Sequence, residues 1–270
     1  MARGMALNIG VNAVDPMHYG GWQGDLIAPE ADAIDMERIA QSSNFSTKVL
    51  LTHEATRSRV IAEISQASDA LKPNDIFMLT YSGNGGLIPG PSTLSPSHQL
   101  KTWCLHSAQL AEHEIYKLLA GFKKGVRILI FSDPCFSATV TRVVVNVNKM
   151  VPRSRVKMMP VAVGIRTYRQ NQHFYEQLTE ALGPKSVKEK IKASVLWFSG
   201  CQDNELSYDG DFNGLFTTEI MRVWRDGSFK GGYRKFLTEI KQEMPGRQTP
   251  NLVSMGIAND AFSAQRPFTI

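Results

Sequence analysis

The chain has 270 residues, of which 43% are apolar, and it carries a formal net charge of +5 at neutral pH. This length can bury one substantial core, and either one large domain or two small ones would fit it. The first residues lack the core and cleavage site of a signal peptide, and no stretch approaches the length of a membrane span. Three scattered cysteines exclude a disulfide framework and zinc-type spacing. We therefore expect a reducing, cytoplasmic setting and no metal.

The excess positive charge is concentrated in residues 142–192, which contain eleven Lys or Arg residues and three Glu residues. Such a stretch can attract nucleic acid or an anionic membrane, but the aromatic residues and recognition motifs that sharpen that interpretation are missing. We interpret the region as a solvated, irregular linker. A scaffold whose basic linker binds nucleic acid or membrane stays an alternative.

Apolar periodicity predicts strands that alternate with helices along the whole chain. A helix start at Pro29 is supported by the acidic residues Glu30 and Asp32 in its first turn. Residues 143–159 lack clear periodicity. The predicted helices cover 29–41, 56–71, 109–120, 170–182, 215–224 and 233–243, and the predicted strands cover 6–11, 46–51, a run that starts at 75, then 126–132, 194–200 and 251–256.

The predicted strands are continuous apolar runs rather than alternating ones, which is typical of a mostly parallel sheet covered by helices on both faces. In such α/β folds, ligands bind outside the carboxyl ends of the strands. Asn84 and Cys135 each follow the carboxyl end of one of two adjacent predicted strands. We therefore expect these two residues to face each other across one crevice.

Two loops at these strand ends carry a family resemblance. Residues 81–86 read Tyr-Ser-Gly-Asn-Gly-Gly, and residues 133–137 read Asp-Pro-Cys-Phe-Ser. They resemble the catalytic loops of caspase-like cysteine peptidases, in particular the metacaspase and bacterial orthocaspase branch, where the loops read Tyr-Ser-Gly-His-Gly-Gly and Asp-Ser-Cys-His-Ser-Gly. The resemblance implies a caspase-like three-layer sandwich, with a mostly parallel six-stranded sheet and helices on both faces.

The likeness covers nearly the whole chain and implies one caspase-like domain over residues 1–270. Within it, we expect a large-subunit-like part over 1–142, the basic linker over 143–165 and a small-subunit-like part over 166–270. In relatives, self-cleavage divides the two parts within this connection. By that analogy the plausible cut sites are Arg153, Arg155 and Lys157, although we expect this chain to stay intact.

The resemblance also implies a set of site residues for an endopeptidase that cuts after Arg or Lys. Cys135 would be the nucleophile, and Asn84 stands at the position of the catalytic His. Backbone N–H groups of Gly85 and Cys135 would stabilise the oxyanion. An acidic pocket for the basic side chain would consist of Asp32, Ser82 and Asp203. The alternative for the pocket residues is structural, because each could brace a helix start or a turn.

A carboxamide does not titrate, so Asn84 cannot act as a general base. A thiol of pKa about 8.5 is only a few per cent thiolate near neutral pH, and general acid–base assistance supplies about 10²- to 10⁴-fold. We therefore expect an impaired peptidase or a pseudopeptidase. The alternative is an active Arg/Lys-specific peptidase with a substitute base, and His98 and His106 lie in or just beyond the loop that follows Asn84. The six histidines that could serve are His18, His53, His98, His106, His113 and His173. Further departures from the family motif are Pro134, Phe136 and Ala138.

We expect no cofactor. Relatives carry an acidic loop where residues 88–101 of this chain contain no carboxylate, and Ca²⁺ requires six to eight oxygen ligands. Glu205, Asp209 and Asp211 leave half of such a site, so calcium binding is doubtful. The expected partner is a peptide or protein with Arg or Lys before the scissile bond, or else an active caspase-like relative. We expect neither a membrane nor nucleic acid as partner.

Overall fold

The computed structural model describes residues 1–90, 99–136, 156–180, 187–202, 207–210, 212–244 and 248–270. The strands are β1 (Gly4–Gly10), β2 (Ser46–Leu51), β3 (Ile76–Ser82), β4 (Gly85–Pro89), β5 (Gln99–Cys104), β6 (Gln109–Ala111), β7 (Arg127–Ser132), β8 (Ser194–Ser199) and β9 (Asn251–Gly256). The α-helices are α1 (Pro29–Ser42), α2 (Arg57–Ala70), α3 (Glu112–Ala120), α4 (Val161–Gln170), α5 (Gln172–Glu180), α6 (Leu215–Trp224), α7 (Tyr233–Glu243) and α8 (Asp260–Ala264).

A six-stranded sheet with the order β2-β1-β3-β7-β8-β9 runs through the protein. Neighbouring strands from β2 to β8 pair in parallel, and β9 pairs antiparallel with β8. Helices α2 and α3 contribute to the core on one face of the sheet, and α1, α6 and α7 contribute to the core on the other. The predicted α/β architecture, a mostly parallel six-stranded sheet with helices on both faces, is confirmed.

Strand β3 explains why the central strands read as unbroken apolar runs. Phe77, Leu79 and Tyr81 pack into the core beneath α2 and α3, whereas Ile76 and Met78 pack into the opposite core. Successive side chains of a strand point to opposite faces, so a strand covered on both faces must be apolar throughout. The polar residues therefore begin only where the strand ends, which is where a site can form.

A second, antiparallel sheet with the order β4-β5-β6 begins directly after Asn84. The sequence did not predict this sheet, and the predicted helix over 109–120 is wrong in its first turn, because residues 109–111 form β6. The helix begins at Glu112, where the Glu114 carboxylate accepts a hydrogen bond of 3.0 Å from the backbone N–H of Ala111. That bond caps the helix and leaves the preceding residues to pair with β5.

The region after the predicted linker also differs from the prediction. The predicted helix over 170–182 is present as α5 within its described part, but a second helix, α4, precedes it and was not predicted. The two helices meet at Asn171, whose side chain donates hydrogen bonds to the carbonyl oxygens of His18 and Thr167. Helix α4 begins after Pro160, so residues 161–165 of the predicted irregular linker are helical. Lys157 is fully buried rather than solvated. Residues 143–155 of that prediction lie outside the described part of the chain.

Phe131 offers a test of the core on the α1, α6 and α7 face. It is buried in β7, and its ring stacks on Phe198 and Phe268 with centroid distances of 4.8 and 5.5 Å. We expect Phe131→Ala to lower the free energy of unfolding by about 3–5 kcal/mol, because it leaves a cavity between packed rings. Met221→Ala, at a partly exposed position of α6, is the control and should cost less than about 0.5 kcal/mol. Equal losses in denaturant unfolding would contradict this packing.

Candidate active site

The loops that follow β3 and β7 lie side by side, because Tyr81 and Ser132 are register partners at the carboxyl ends of these strands. The two loops converge on one atom, the carbonyl oxygen of Lys157. It accepts a hydrogen bond of 3.1 Å from the N–H of Gly85 and one of 3.0 Å from the N–H of Cys135. The two N–H groups that the family resemblance implied as oxyanion donors thus bind a single carbonyl oxygen of the same chain.

The Lys157 side chain is completely buried in an acidic pocket, which we define as Asp32, Ser82 and Asp133. Its Nζ lies 2.7 Å from Asp133 Oδ2, 2.9 Å from Ser82 Oγ and 3.1 Å from Asp32 Oδ2. Asp32 belongs to α1, Ser82 ends β3 and Asp133 follows β7. Three separate parts of the chain therefore meet around one ammonium group.

The charges in the acidic pocket compensate one another. Burial raises the pKa of Asp133, although Lys157 opposes this effect. Burial acts to lower the pKa of Lys157, but the carboxylates of Asp133 and Asp32 outweigh it and raise that pKa above its ordinary value. Lys157 is therefore a charged ammonium group. Its charge is matched by carboxylates rather than by water, the condition under which a buried charge is tolerated.

The second oxygen of each carboxylate is also hydrogen-bonded. Asp32 Oδ1 accepts from the N–H of Gly214 at 2.8 Å and from Asn213 Nδ2 at 3.2 Å. Asp133 Oδ1 accepts from Ser207 Oγ and from Gln248 Nε2. These bonds fix both carboxylates, so the pocket is preorganised to receive a cation.

Backbone hydrogen bonds hold the Lys157 segment, residues 156–159, across the strand ends. The N–H of Lys157 donates to Ser207 O at 3.0 Å, and the N–H of Met159 donates to Gly85 O at 2.7 Å. The N–H of Met158 turns back to Val156 O at 2.8 Å, which places a tight turn at Lys157. The segment is therefore bound on both sides of the lysine, as a peptide would be.

Asn84 is buried between β3 and β4, directly before Gly85, and its side chain has a structural partner. Its side-chain Nδ2 donates to the carbonyl oxygen of Gly24 at 2.7 Å. The backbone carbonyl oxygen of Asn84 accepts hydrogen bonds from Tyr81 Oη and from the N–H of Cys104. Asn84 thus connects the glycine-rich loop after β1 to the second sheet. A carboxamide in this position donates a hydrogen bond without taking up or releasing a proton.

Cys135 is fully buried and packs in an apolar cluster with Cys201. Val156, Met158 and Tyr208 surround the two thiols. A cavity of about 360 Å³ is lined by Cys135, Phe136, Met158 and residues of α4. The predicted nucleophile is therefore covered by the Lys157 segment and borders an apolar cavity.

The histidines considered as substitute bases have identified partners in several cases. His53 Nδ1 lies 2.9 Å from His106 Nε2, His18 Nε2 lies 2.7 Å from Tyr175 Oη, and His173 Nε2 lies 3.0 Å from Gln177 Nε2. His98, the other nearby candidate in sequence, falls outside the described residues.

Of the predicted pocket residues, Asp32 and Ser82 meet at the Lys157 ammonium, whereas Asp203 lies outside the described residues. Sequence reasoning missed Asp133 as a pocket residue. Its position two residues before Cys135, at the end of a buried strand, was the available signal. Sequence reasoning also treated Lys157 as solvent-exposed, because it lies in a basic, non-periodic stretch.

Two of the three acidic residues considered for calcium, Glu205 and Asp211, also lie outside the described residues. The third, Asp209, is buried and accepts hydrogen bonds from the N–H groups of Ile27 and Ala28, next to the start of α1. Within the described ranges, no group of three or more His, Cys, Asp or Glu side chains could hold a metal ion. The helices in those ranges are all too short or too polar to cross a bilayer.

Comparison with known proteins places this site in a family. The sequence profile described as Caspase domain matches residues 3–262. The chain belongs to the caspase-domain family. Among solved structures, this caspase domain is similar to a Geobacter sulfurreducens protein, with 47% identity, a TM-score of 0.92, and coverage of 99% of this chain and 98% of that one.

A more distant similarity links this caspase domain to caspase-1 from Spodoptera frugiperda. The identity is 12% and the TM-score 0.57, with 94% of this chain and 87% of that chain covered, so the likeness concerns the fold alone. No curated protein matches the sequence.

Removing the Lys157 ammonium tests the charge balance of the acidic pocket. We expect Lys157→Met to lower the free energy of unfolding by about 3–5 kcal/mol at neutral pH, because Asp32 and Asp133 are left buried without a cation. In this variant the pKa of Asp133, which burial already raises, rises further because Lys157 no longer opposes that effect. The folded variant then binds more protons than its unfolded state. The loss of unfolding free energy relative to the parent should therefore shrink as the pH falls through the range in which carboxylates titrate.

Denaturant unfolding of the parent and the variant across that pH range measures the effect. Lys241→Met, at an exposed position of α7, is the matched control and should change stability by less than about 0.5 kcal/mol at every pH. A deficit of Lys157→Met that stays constant with pH would contradict the proposed charge compensation.

Proposed function

We propose that this caspase domain captures a peptide segment that carries a lysine, and that it turns over such a segment poorly or not at all. In the conformation described above, the captured segment is its own Lys157 segment. The motifs around Tyr81 and Cys135 support a place in the metacaspase and orthocaspase branch. The chain then acts as a pseudopeptidase of that branch, and its expected partner is a protein with an accessible lysine.

One observation carries this proposal: a single residue occupies two recognition elements at once. The Lys157 ammonium is bound by Asp32, Ser82 and Asp133, while its carbonyl oxygen accepts from the N–H groups of Gly85 and Cys135. Peptidases recognise the residue before a scissile bond in this way. One pocket binds the side chain through charge-assisted hydrogen bonds, and two N–H donors bind the carbonyl oxygen of the same residue.

The poor turnover follows from Asn84. Acyl transfer by a thiol requires a group that accepts its proton and later supplies one to the leaving amine, and a carboxamide does neither. Asn84 is engaged with Gly24, and the amide nitrogen of Met158, which would be the leaving group, donates to Val156 O. The site therefore binds the lysine carbonyl, but the residue at position 84 cannot transfer the protons that cleavage of the peptide bond requires.

A weak residual peptidase activity is the second candidate function. The two N–H donors already point at the Lys157 carbonyl oxygen, and such donors alone lower the barrier to attack on a carbonyl. In that case Cys135 Sγ would attack the Lys157 carbonyl carbon and form a thioester, while the bond to Met158 breaks and the thiol proton passes through water to the leaving Met158 amine. A water molecule would then hydrolyse the thioester, which releases the Lys157 carboxylate and regenerates the thiol.

Restoring a base at position 84 tests the proposal. We expect the purified parent to keep its intact mass over days. Asn84→His should cut itself between Lys157 and Met158, because a histidine there can accept the Cys135 proton beside a carbonyl that is already bound. Intact-protein mass spectrometry identifies the two fragments by their new termini.

The double variant Asn84→His/Cys135→Ala is the matched control and should stay intact. A thermal unfolding scan of each variant establishes that it is folded. Cleavage of the parent that Cys135→Ala abolishes would favour the residual peptidase over the silent domain. A folded Asn84→His that is neither clipped nor active on lysine peptides would contradict the role proposed for position 84.

A further inference from the structure

We propose that Gly214 sets the depth of the acidic pocket, so that the pocket accepts lysine and excludes arginine. This inference rests on the proposed function, because it defines which basic segment the site captures. It concerns a residue that lies far from the catalytic loops in sequence, at the start of α6.

The backbone of Gly214 lies directly beside the lysine ammonium and forms the end of the pocket. A Cβ atom at this position would lie 2.3 Å from Lys157 Nζ and 2.8 Å from Asp32 Oδ2, well inside any real contact distance. The backbone of Gly214 has φ −60° and ψ 150°, which every amino acid adopts without strain. Glycine is therefore required here for space and not for conformation.

Three acceptors surround the ammonium. A lysine ammonium carries three N–H groups, and Asp32, Ser82 and Asp133 supply three acceptors within 3.1 Å. Ser82 Oγ in turn donates to Asp32 Oδ2 at 2.6 Å, so the serine hydroxyl is also satisfied. The number of acceptors matches the number of N–H groups on the ammonium.

Little space remains beyond these acceptors. The cavity next to the acidic pocket has a volume of about 10 Å³, which is room for at most one water molecule. Its wall is largely apolar and includes Ile9, Met36, Phe131, Phe216 and Ile220. A larger cation would have to extend into this core.

Arginine does not meet these conditions. Its side chain reaches one bond further than that of lysine and ends in a planar fork with five N–H donors. Next to Gly214, the additional nitrogen atoms of the guanidinium would meet either the backbone or the apolar side chains that line the small cavity. Their N–H groups would then be buried without acceptors, which is costly. The pocket is therefore built for the point charge of lysine.

The first experiment compares residues at position 157 in the intact chain. We expect the Tm of Lys157→Arg to fall below that of the parent by about 5 °C or more, since a loss of several kcal/mol corresponds to shifts of this size in a chain of this length. A Tm for Lys157→Arg equal to that of the parent would overturn the inference.

The second experiment asks whether Gly214 acts through the lysine. Gly214→Ala is made in the parent and in Lys157→Ala, and the thermal shift should be clearly larger in the parent, where the ammonium is present. Equal shifts in the two backgrounds would mean a purely structural role and would overturn the inference. Gly164→Ala is the control, because a Cβ there finds only ordinary contacts of 3.4 Å or more.

The third experiment separates this inference from the proposed function. Calorimetry measures the binding of acetyl-Val-Lys-Met-amide, and of its arginine and norleucine analogues, to Lys157→Ala. We expect the lysine peptide to bind at least tenfold more tightly than either analogue. Equal binding of the lysine and arginine peptides would overturn lysine selectivity. If no peptide binds, capture of a separate segment is contradicted, while the two unfolding experiments still decide the role of Gly214.

Discussion

The ion cluster of Lys157 with Asp32 and Asp133 is the interaction on which the arrangement of this site depends. A fully buried ammonium is tolerated only while both carboxylates face it, and the carboxylates are tolerated only while they keep the ammonium and their other donors. The cluster connects α1, the end of β7 and the segment before α4. It thereby fixes the Lys157 segment over Cys135, and the second oxygens of the two carboxylates connect it to Gly214 and Ser207.

The parallel sheet makes this cluster possible. Because β3 and β7 are neighbours that end at the same edge, Ser82 and Asp133 emerge next to each other, and the N–H groups of Gly85 and Cys135 converge on one point. The helix termini complete the site, since the N–H of Gly214 at the start of α6 binds Asp32. The groups that bind the Lys157 side chain and its carbonyl oxygen thus lie mainly at the ends of β3 and β7. The cores on both faces of the sheet hold these two strands in register.

Much of this could be predicted from the sequence. Continuous apolar strands between amphipathic helices fix the parallel sheet, and the loops after two of them bring Asn84 and Cys135 to one edge. The second sheet could not be predicted, because β4 to β6 are short and only pairing distinguishes them from loop and helix. Lys157 could not be predicted either, since burial of a lysine depends on acidic partners that lie 24 and 125 residues away in sequence.

In the folded protein, Lys157 is enclosed in the acidic pocket, so reagents in solution cannot reach its amine. The most direct measurement is brief acetylation of lysine amines under native conditions, followed by peptide mass spectrometry that reports each lysine separately. We expect Lys157 to stay unmodified while the exposed Lys241 reacts, and we expect both to react after denaturation. Modification of Lys157 in the native protein at the rate of Lys241 would contradict this enclosure.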